Sequence, residues 1–290
     1  MGAPSEKSLV WLITGSSRGL GRSFAEAVLA AGHRLVATAR KPEQLSSLVE
    51  RYGDRVRAVA LDVTNPEQAR AAVKAAVDAF GRLDVVVNNA GYGSLAPIEQ
   101  VTDEDFRSQL DTNLFGVMNV TRAALPVLRE QRFGHVIQVS SIGGRLSTPG
   151  LGAYQAAKWA VGGFSEVLAK EVAPFGVKVT VLEPGGFRTD WAGASMTIPD
   201  FRPEYAPTVG VVAQHMRSRT GKEPGDPDRA AQVLLQVAAM ASPPLHLVLG
   251  GDAFELSQEK LDALKTEDQK WKDLSLSTDF PEARGPAPRL

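Results

Sequence analysis

Short apolar runs alternate with longer amphipathic stretches along most of the 290-residue chain. This alternation predicts repeated strand–helix–strand units, in which parallel strands are buried between helices. Runs typical of buried strands span residues 9–14, 34–39, 56–63, 83–87, 135–140, 177–182 and 245–249. Helices are predicted over residues 22–31, 66–80, 102–131, 153–173, 228–240 and 252–270. We therefore expect an α/β fold with a doubly wound, seven-stranded parallel sheet and helices on both faces.

No linker interrupts this rhythm, so residues 1–290 are predicted to form a single domain. Its core spans residues 8–253. The pattern weakens over residues 188–228, which contain five prolines, and this segment is predicted to be a substrate-binding lid. Residues 254–290 are predicted to form a C-terminal helix and an arm, and the polar, proline-rich part after residue 271 is expected to be irregular or disordered.

Charge and composition exclude several functions. Lys and Arg total 32 and Asp and Glu total 33, so no global field favours nucleic acid or an anionic membrane. The absence of cysteine excludes disulfides, thiolate nucleophiles and zinc–sulfur sites. The four histidines form neither an H-x3-H nor an HExxH pattern, so no metal site is expected. The early apolar run is too short for a signal peptide or membrane span, and we expect a cytoplasmic protein.

A glycine-rich segment, TGSSRGLGRS, lies between the first predicted strand and the first predicted helix. At this place the helix N-terminus directs free N–H groups at a pyrophosphate. A mononucleotide-binding P-loop is the alternative, but Gly15 and Gly21 are one residue too far apart for it, and Arg22 replaces its lysine. The segment therefore favours dinucleotide binding.

The spacing of Thr14, Gly15, Gly19 and Gly21 resembles the TGxxxGxG motif of the short-chain dehydrogenase/reductase family. The resemblance implies a Rossmann fold and a nicotinamide cofactor. Gly15 would permit the turn, Gly19 would let the phosphates approach, and Gly21 would let helix and strand pack closely. The further cofactor-binding residues implied are Ser17, Arg18 and Leu20 in this turn, Asp62 and Val63 at the end of the third predicted strand, Asn89, Ala90 and Gly91 in an NNAG turn, and Pro184, Gly185, Phe187 and Thr189 in a PGxxxT segment.

The end of the second predicted strand bears on which nicotinamide cofactor is used. Proteins that bind NAD place an acid there for the ribose hydroxyls, whereas this strand ends in Arg40 and Lys41. A guanidinium at this point pairs with a 2′-phosphate, and Arg18 is placed to contact the same group. Either arginine alone is equally well explained as a solvated surface charge. Together they favour NADP(H).

Tyr154 and Lys158 lie four residues apart on a predicted helix and therefore share a face. An adjacent ammonium and a positive nicotinamide are expected to lower the phenol pKa from its usual value of about 10. YQAAK alone is also typical of an ordinary amphipathic helix. The family resemblance extends to Ser141, 13 positions before Tyr154, as the serine that holds the substrate carbonyl, with Ser140 as a neighbouring alternative. It likewise implies that Asn113 binds a relay water beside the lysine.

These residues imply a reaction in which NADPH transfers hydride to a carbonyl carbon and Tyr154 protonates the oxygen. Lys158 and Asn113 then return a proton to the tyrosine through water. The substrate would contact Ser141, Ile142, Gly143, Tyr154 and Trp191, with Tyr92, Leu146, Leu151, Gly186 and Met196 as further candidate walls. Because these walls are mostly apolar, we expect a hydrophobic ketone or secondary alcohol.

The segment EPGGFRTDWAG and the C-terminal extension resemble bacterial members related to 17β-hydroxysteroid dehydrogenases, which does not by itself imply a steroid substrate. A 3-oxoacyl-carrier-protein reductase is a weaker alternative, because those chains usually end soon after the seventh strand. A non-catalytic NADP(H)-binding sensor is another alternative, although Ser141, Tyr154 and Lys158 are all present. The resemblance also implies a homodimer or homotetramer that packs through helices 102–131 and 153–173.

Overall fold

The computed structural model describes residues 8–280, apart from residues 192 and 194. These residues form one seven-stranded sheet in which every neighbouring pair of strands is parallel. The strands are β1 (Val10–Ile13), β2 (Arg34–Ala39), β3 (Val56–Ala60), β4 (Val85–Asn88), β5 (Gly134–Val139), β6 (Val177–Pro184) and β7 (His246–Leu249). Their spatial order is β3-β2-β1-β4-β5-β6-β7. The predicted doubly wound parallel sheet is confirmed.

The ten helices of the described chain flank this sheet. They are α1 (Gly19–Ala30), α2 (Ser46–Tyr52), α3 (Pro66–Phe80), α4 (Asp103–Leu110), α5 (Gly116–Gln131), α6 (Gly152–Val172), α7 (Val211–Arg219), α8 (Pro227–Ala239), α9 (Gly251–Lys270) and α10 (Lys272–Leu276). Alternate residues of β1 enter opposite core layers: Trp11 and Ile13 pack with α1 residues, whereas Leu12 packs with α3 and α5 residues. Both faces of the sheet are thus covered, which explains the unbroken apolar strands.

Two helical features differ from the sequence-based expectation. The helix predicted over residues 102–131 is interrupted by a wide π-helical turn at Asp111–Phe115, which separates α4 from α5. The short helix α2 between β2 and β3 was not expected. The π turn leaves no mark in hydrophobic periodicity, because one extra residue in a turn shifts the pattern only slightly. Such turns are common at functional sites.

The predicted lid segment, residues 188–228, is more regular than expected because it contains α7. Its apolar residues form a separate cluster with the loop after β4 and with the start of α6, and we call this the lid cluster. The buried members of the lid cluster are Leu95, Leu151, Met196, Val209 and Ala213. The Leu95 amide also donates to the Thr197 carbonyl over 2.9 Å, so backbone pairing fixes the lid against that loop.

The C-terminal region also differs from expectation over the residues that the structure describes. The segment after Trp271 continues as α10 rather than as an irregular tail. The rest of the predicted arm, residues 281–290, and the first seven residues lie outside the described residues. No helix in the described part of the chain is both long and apolar enough to cross a membrane.

The strand order reverses direction at β1, which lies between β2 and β4. Connections on the two sides of β1 leave from opposite faces, so a crevice opens at the carboxyl ends of β1 and β4. The glycine-rich turn, the NNAG turn and the loop after β5 all follow strands that end at this edge. The topology therefore brings together motifs that are far apart in sequence.

Candidate active site

Glycine is required at three positions of the turn after β1. Gly15 and Gly19 have φ values of +68° and +56°, a region that other residues rarely adopt. A Cβ at Gly21 would lie only 2.2 Å from the Gly15 carbonyl oxygen and 2.4 Å from Asn89 Nδ2. Within the described chain no side chain caps the first turn of α1, so its N–H groups are available to a phosphate.

The PGxxxT segment faces the glycine-rich turn across a small cavity. A Cβ on Gly19 would lie 3.6 Å from Thr189 Cβ, so motifs about 170 residues apart meet here. The cavity has a volume of about 270 Å³. Its lining residues are Gly19, Arg22, Ser23, Arg188, Thr189, Asp190 and Pro227. The exposed N-terminus of α1 at this cavity is suited to a pyrophosphate.

Thr14 and Asn89 clamp the glycine-rich turn to the NNAG turn. Thr14 Oγ1 accepts hydrogen bonds from the Asn89 and Ala90 amides, each over 2.9 Å. Asn89 Nδ2 donates in return to the Thr14 carbonyl over 2.9 Å. A Cβ on Gly15 would lie 3.0 Å from Ala90 Cα. In the chain by itself, these residues shape the walls of the proposed cofactor site.

The residues after β3 border the same edge of the sheet. Asp62 is half-buried, and its Oδ1 accepts hydrogen bonds from the amide and hydroxyl of Thr64, over 3.0 and 2.7 Å. Val63 is buried against Gly116, where a Cβ would lie 2.5 Å from its Cγ2. Leu20 packs against the core on the opposite face of the sheet. Binding of a cofactor by these three residues stays a prediction.

Arg18 and Arg40 are exposed at the same edge. The Ser16 amide donates to the Thr38 carbonyl over 2.8 Å, which holds the glycine-rich turn, Ser17 included, against the end of β2. Neither arginine forms an ion pair with any residue that the structure describes. Both guanidinium groups are therefore available to an anion.

Tyr154, Lys158 and Ser141 converge beneath the lid. Tyr154 is 6% exposed and Lys158 is 4% exposed, one turn apart on α6. Lys158 Nζ donates to the Val139 carbonyl over 2.9 Å and lies 5.7 Å from the centre of the Tyr154 ring. Ser141 lies two residues after the end of β5, and its hydroxyl accepts a hydrogen bond from the Gly143 amide over 3.0 Å. The neighbouring Ser140 instead donates to the Lys158 carbonyl over 3.1 Å, which suits a structural role.

Burial dominates the titration of both groups on α6. It raises the pKa of Tyr154 to about 12, although a hydrogen bond with Ser141 opposes the rise. It also lowers the pKa of Lys158 to about 8, because the ammonium is removed from water. In the chain by itself, desolvation of the buried phenol outweighs the hydrogen bond with Ser141. The expected lowering of the phenol pKa also requires a bound, positively charged nicotinamide, and it stays a prediction.

Asn113 occupies the π turn between α4 and α5 and is fully buried. Its Nδ2 donates to the Tyr92 carbonyl over 2.9 Å, and its Oδ1 accepts from the Tyr92 amide over 3.2 Å. A Cβ on Gly91 would lie 2.6 Å from Asn113 Oδ1 and 3.6 Å from Lys158 Nζ. The side chain thus anchors the backbone after the NNAG turn, beside the lysine. Its participation in a proton relay stays a prediction.

Trp191 packs against the ring of Tyr154. The two ring centroids are 5.1 Å apart with an interplanar angle of 51°. On its other side the indole contacts Gly93, where a Cβ would lie 2.9 Å from Trp191 Cζ2. Leu151 and Met196 belong to the lid cluster against which Trp191 packs. Of the other candidate walls, Ile142 and Leu146 are half-buried in the loop after Ser141.

The turn after β6 packs against two carboxylates, one from α9 and one from the segment before α8, that the sequence analysis did not single out. The Gly186 amide donates to Asp252 Oδ2 over 3.0 Å, and Gly185 packs against the same side chain. Glu223 is 7% exposed and lies against Gly186, and its Oε2 has no hydrogen-bond partner among the described residues. In the sequence, Asp252 could have been noticed as an acidic residue that directly follows two glycines at the start of a predicted helix.

Pro184 ends β6, and Phe187 pairs through its backbone with Gly225. Gln155 was also missed. It ties the loop after Ser141 to α6, because its Oε1 accepts from the Thr148 amide over 2.8 Å. Nothing in the sequence distinguishes this glutamine from a surface residue of an amphipathic helix. No cluster of three or more metal-binding side chains is found within the described residues.

The geometry fits a nicotinamide dinucleotide. The close glycine contacts leave a cradle at the N-terminus of α1, which Thr189 borders on the opposite side. Gly91 and the buried Lys158 continue the site toward Tyr154. The fold and the site together define a Rossmann-type oxidoreductase with a Tyr–Lys pair.

A family model described as short chain dehydrogenase matches residues 9–197. The chain therefore belongs to the short-chain dehydrogenase/reductase family, whose members use a nicotinamide cofactor and act on CH–OH groups.

Similar proteins cover nearly the whole chain. Oxidoreductase BOA17 of Botryotinia fuckeliana (strain B05.10) is 53% identical over 270 residues, which cover 93% of this chain and 98% of that protein. A short-chain dehydrogenase from Streptomyces avermitilis, solved by crystallography, superposes with a TM-score of 0.89 at 41% identity, covering 94% of this chain and all of that chain. A 3-ketodihydrosphingosine reductase of Bacteroides thetaiotaomicron is 44% identical over 178 residues, or 61% of this chain and 64% of that protein.

Proposed function

We propose that the protein is an NADP(H)-dependent carbonyl reductase that converts a hydrophobic ketone into a secondary alcohol. The observation that carries this proposal is the buried Tyr154 phenol, which interacts with Ser141, lies one turn from Lys158 and is covered by apolar lid residues. A phenol with a raised pKa is protonated at neutral pH, which is the form that donates a proton during reduction.

The roles of the chain's own residues follow from their positions. When bound, the reduced nicotinamide supplies a hydride to the carbonyl carbon, and the π electrons of the C=O bond pass to the oxygen. Ser141 donates a hydrogen bond to that oxygen, and Tyr154 transfers its phenolic proton to it. Lys158 stabilises the resulting phenolate, and a proton from solvent restores the phenol.

The two free arginines support NADP(H) over NAD(H). Arg18 and Arg40 border the ribose end of the proposed site, and no acid among the described residues neutralises either one. A charge-assisted hydrogen bond from a guanidinium to a phosphate contributes about 1.5–3 kcal/mol. An interaction of that size corresponds to a preference of roughly 10- to 100-fold.

The lid supports an apolar substrate. Its cluster contributes Leu151 and Met196 on one side, and Trp191 lies directly over the Tyr154 ring. One relative is named as a reductase of 3-ketodihydrosphingosine. We therefore propose a ketone that carries a long alkyl chain or a fused ring system.

Turnover with NADPH and with NADH is the test of these proposals. A panel of ketones with increasing alkyl length is followed at the nicotinamide absorbance band. We expect oxidation of NADPH, with kcat/KM rising with chain length, and a Tyr154→Phe variant that binds NADPH but does not turn over. Tyr52→Phe is the matched control, because this tyrosine lies at the end of α2 against Arg51 and Arg55 and is not one of the residues of the proposed site.

Failure of either part has a distinct signature. NADPH binding without turnover on any carbonyl would identify the protein as a cofactor-binding sensor instead. For cofactor choice, Arg40→Asp should reduce the NADPH/NADH ratio of kcat/KM by about 10-fold or more. Lys265→Asp makes the same change in net charge on the exposed face of α9 and should leave the ratio unchanged.

We further propose that the chain pairs with a second copy through α6. Trp159 and Val167 are 48% and 57% exposed on one face of this helix, and Gly163 between them has open space around it. This exposed apolar stripe favours a homo-oligomer. Sedimentation velocity on the wild type and on Val167→Glu tests it, since the charged variant should sediment as a monomer.

A further inference from the structure

A buried carboxylate outside the reacting groups lies next to the proposed nicotinamide turn. Glu183 is 3% exposed although it is the second-to-last residue of β6, in the mostly apolar run VTVLEP. It directly precedes Pro184 and Gly185. Burial of an ionised carboxylate is unfavourable unless it is paired, so its partners show what this residue holds in place.

Glu183 is paired on both oxygens. Oε1 lies 3.1 Å from Nδ1 of His246, the first residue of β7. Oε2 lies 2.5 Å from Nη2 of Arg145. This contact is an ion pair whose angles are not those of a hydrogen bond. Arg145 immediately follows the short helical turn Ile142–Gly144, and Ser141 immediately precedes this turn as its N-cap. One carboxylate therefore joins β6, β7 and the loop that carries the catalytic serine.

The loop has little freedom to move without disturbing the site. A Cβ on Gly144 would lie 2.9 Å from the Lys158 carbonyl oxygen and 2.9 Å from Ser140 Oγ, so the loop packs directly on the backbone of α6. The Gly144 amide also donates to the Ser141 carbonyl over 2.8 Å. Because of this contact, a movement of Arg145 would also displace Ser141 and Lys158.

His246 lies between two carboxylates. Its Nδ1 contacts Glu183, and its Nε2 lies 3.1 Å from Oε1 of Glu166, which is 57% exposed on α6. A neutral imidazole has only one N–H, so it cannot donate to both acceptors, whereas the imidazolium can. The hydrogen bond with Glu183 accordingly raises the pKa of His246, against the effect of partial burial.

We propose that Glu183 is a positioning residue for the reductase reaction: paired with His246 and Arg145, it holds the loop after Ser141 against the turn that receives the nicotinamide. The proposal rests on the proposed function for its kinetic consequences. The claim that Glu183 restrains residues 142–150 does not depend on which substrate is reduced.

The network predicts a dependence on pH. The charged groups that face His246 are Glu183 and Glu166, which stabilise the imidazolium, and Arg145, which opposes it. The pKa of His246 is raised above the ordinary histidine value of 6.5. As the pH rises through this pKa, the imidazolium loses a proton and keeps only one of its two N–H donors. The restraint on the loop should therefore weaken at alkaline pH. Burial lowers the pKa of Lys158 to about 8, so this group also loses its proton at alkaline pH and only a comparison between variants isolates the histidine.

The experiment compares Glu183→Gln and His246→Gln with Glu166→Gln as matched control. We expect Glu183→Gln to lower kcat for ketone reduction by about tenfold or more, with KM for NADPH changed by less than about twofold, because a displaced serine affects chemistry more than cofactor binding. Hydrogen exchange of residues 142–150 should become faster in Glu183→Gln. The exchange should accelerate with rising pH, beyond the intrinsic rate, in the wild type but not in His246→Gln.

The outcomes separate the two proposals. If Glu183→Gln melts at a lower temperature while its kcat, pH profile and exchange in residues 142–150 match the wild type, Glu183 is only structural and the inference is wrong. If Glu166→Gln reproduces every effect of Glu183→Gln, the loop restraint does not run through the buried carboxylate, and the inference is again wrong. If the wild type reduces no carbonyl, the proposed function fails, and the exchange data alone decide the positioning role.

Discussion

Replacement of Gly21 by alanine tests whether packing between the glycine-rich turn and the NNAG turn builds the cofactor site. The added Cβ would lie 2.2 Å from the Gly15 carbonyl oxygen, a contact that real side chains do not make below 3.0 Å. The turn must therefore move by about 0.8 Å, the difference between these two distances. A movement of this size also displaces Asn89, whose Nδ2 would lie 2.4 Å from the new methyl group.

The magnitude follows from three contributions. Overpacking of a close contact costs about 1–3 kcal/mol. The two hydrogen bonds from Asn89 Nδ2 to the Thr14 and Gly15 carbonyls, 2.9 and 3.2 Å long, contribute about 1 kcal/mol each. The helix propensity of alanine over glycine returns about 1 kcal/mol within α1. We expect a net loss of about 2–4 kcal/mol in the free energy of unfolding, and a fall in Tm of roughly 3–7 °C for a chain of this length.

The assay measures Tm without cofactor and the Kd for NADPH from quenching of tryptophan fluorescence. We expect Kd to rise at least about tenfold, because the proposed site for the phosphates lies at the displaced turn. Gly251→Ala is the matched control, since this glycine starts α9 with no atom within 4 Å of a Cβ. Its stability should stay within about 0.5 kcal/mol of the wild type.

A Gly21→Ala protein with wild-type Tm and wild-type affinity for NADPH would refute the reasoning. It would mean that the turn relaxes without loss and that the close approach of helix and strand does not shape the site. A loss of stability with unchanged affinity for NADPH would show that this packing stabilises the fold but does not shape the binding site.

Other predictions concern stability and the lid. Burial lowers the pKa of His135 to about 3, so below pH 6.5 this histidine binds a proton in the unfolded chain but not in the folded one. The free energy of unfolding should therefore fall by about 1.4 kcal/mol for each pH unit below 6.5. Urea titrations at several pH values should detect this contribution in the wild type but not in His135→Gln. Glu99→Gln removes the ion pair that fastens Arg202 of the lid to the loop after β4, and limited proteolysis should cut the lid faster without a change in Tm. Thr14→Val leaves two backbone amides without their acceptor and should lower Tm and weaken NADPH binding together, whereas separate effects would contradict the clamp.

Much of the fold was predictable because the signals are local. Buried parallel strands produce continuous apolar runs, and the helices between them begin and end at recognisable residues. Asn65 caps α3 by accepting from the amides of the next turn, and Gly81 ends it with a φ of +76°. The π turn around Asn113 and the helix α10 were not predictable in this way, because neither changes the periodicity of polar and apolar residues enough to be read.

The site was predictable only as a set of motifs. The sequence placed Tyr154 and Lys158 on one helical face and Ser141 after a strand, and the structure brings all three together. It did not predict that burial raises the pKa of this phenol, since the degree of burial is a tertiary property. Glu183 illustrates the same limit: a charge inside an apolar strand is visible in sequence, but its partners are not.

The sequence by itself determined the α/β class, the order of the elements and the family, because glycine spacing and hydrophobic alternation are set by backbone geometry and by burial of strands on both faces. Only the tertiary structure decided which side chains are desolvated and which charges are paired. These properties depend on contacts between elements such as β6, β7 and the loop after β5, which lie up to about 110 residues apart along the chain. The electrostatics of Tyr154, Lys158 and His246 therefore belong to the fold rather than to any motif.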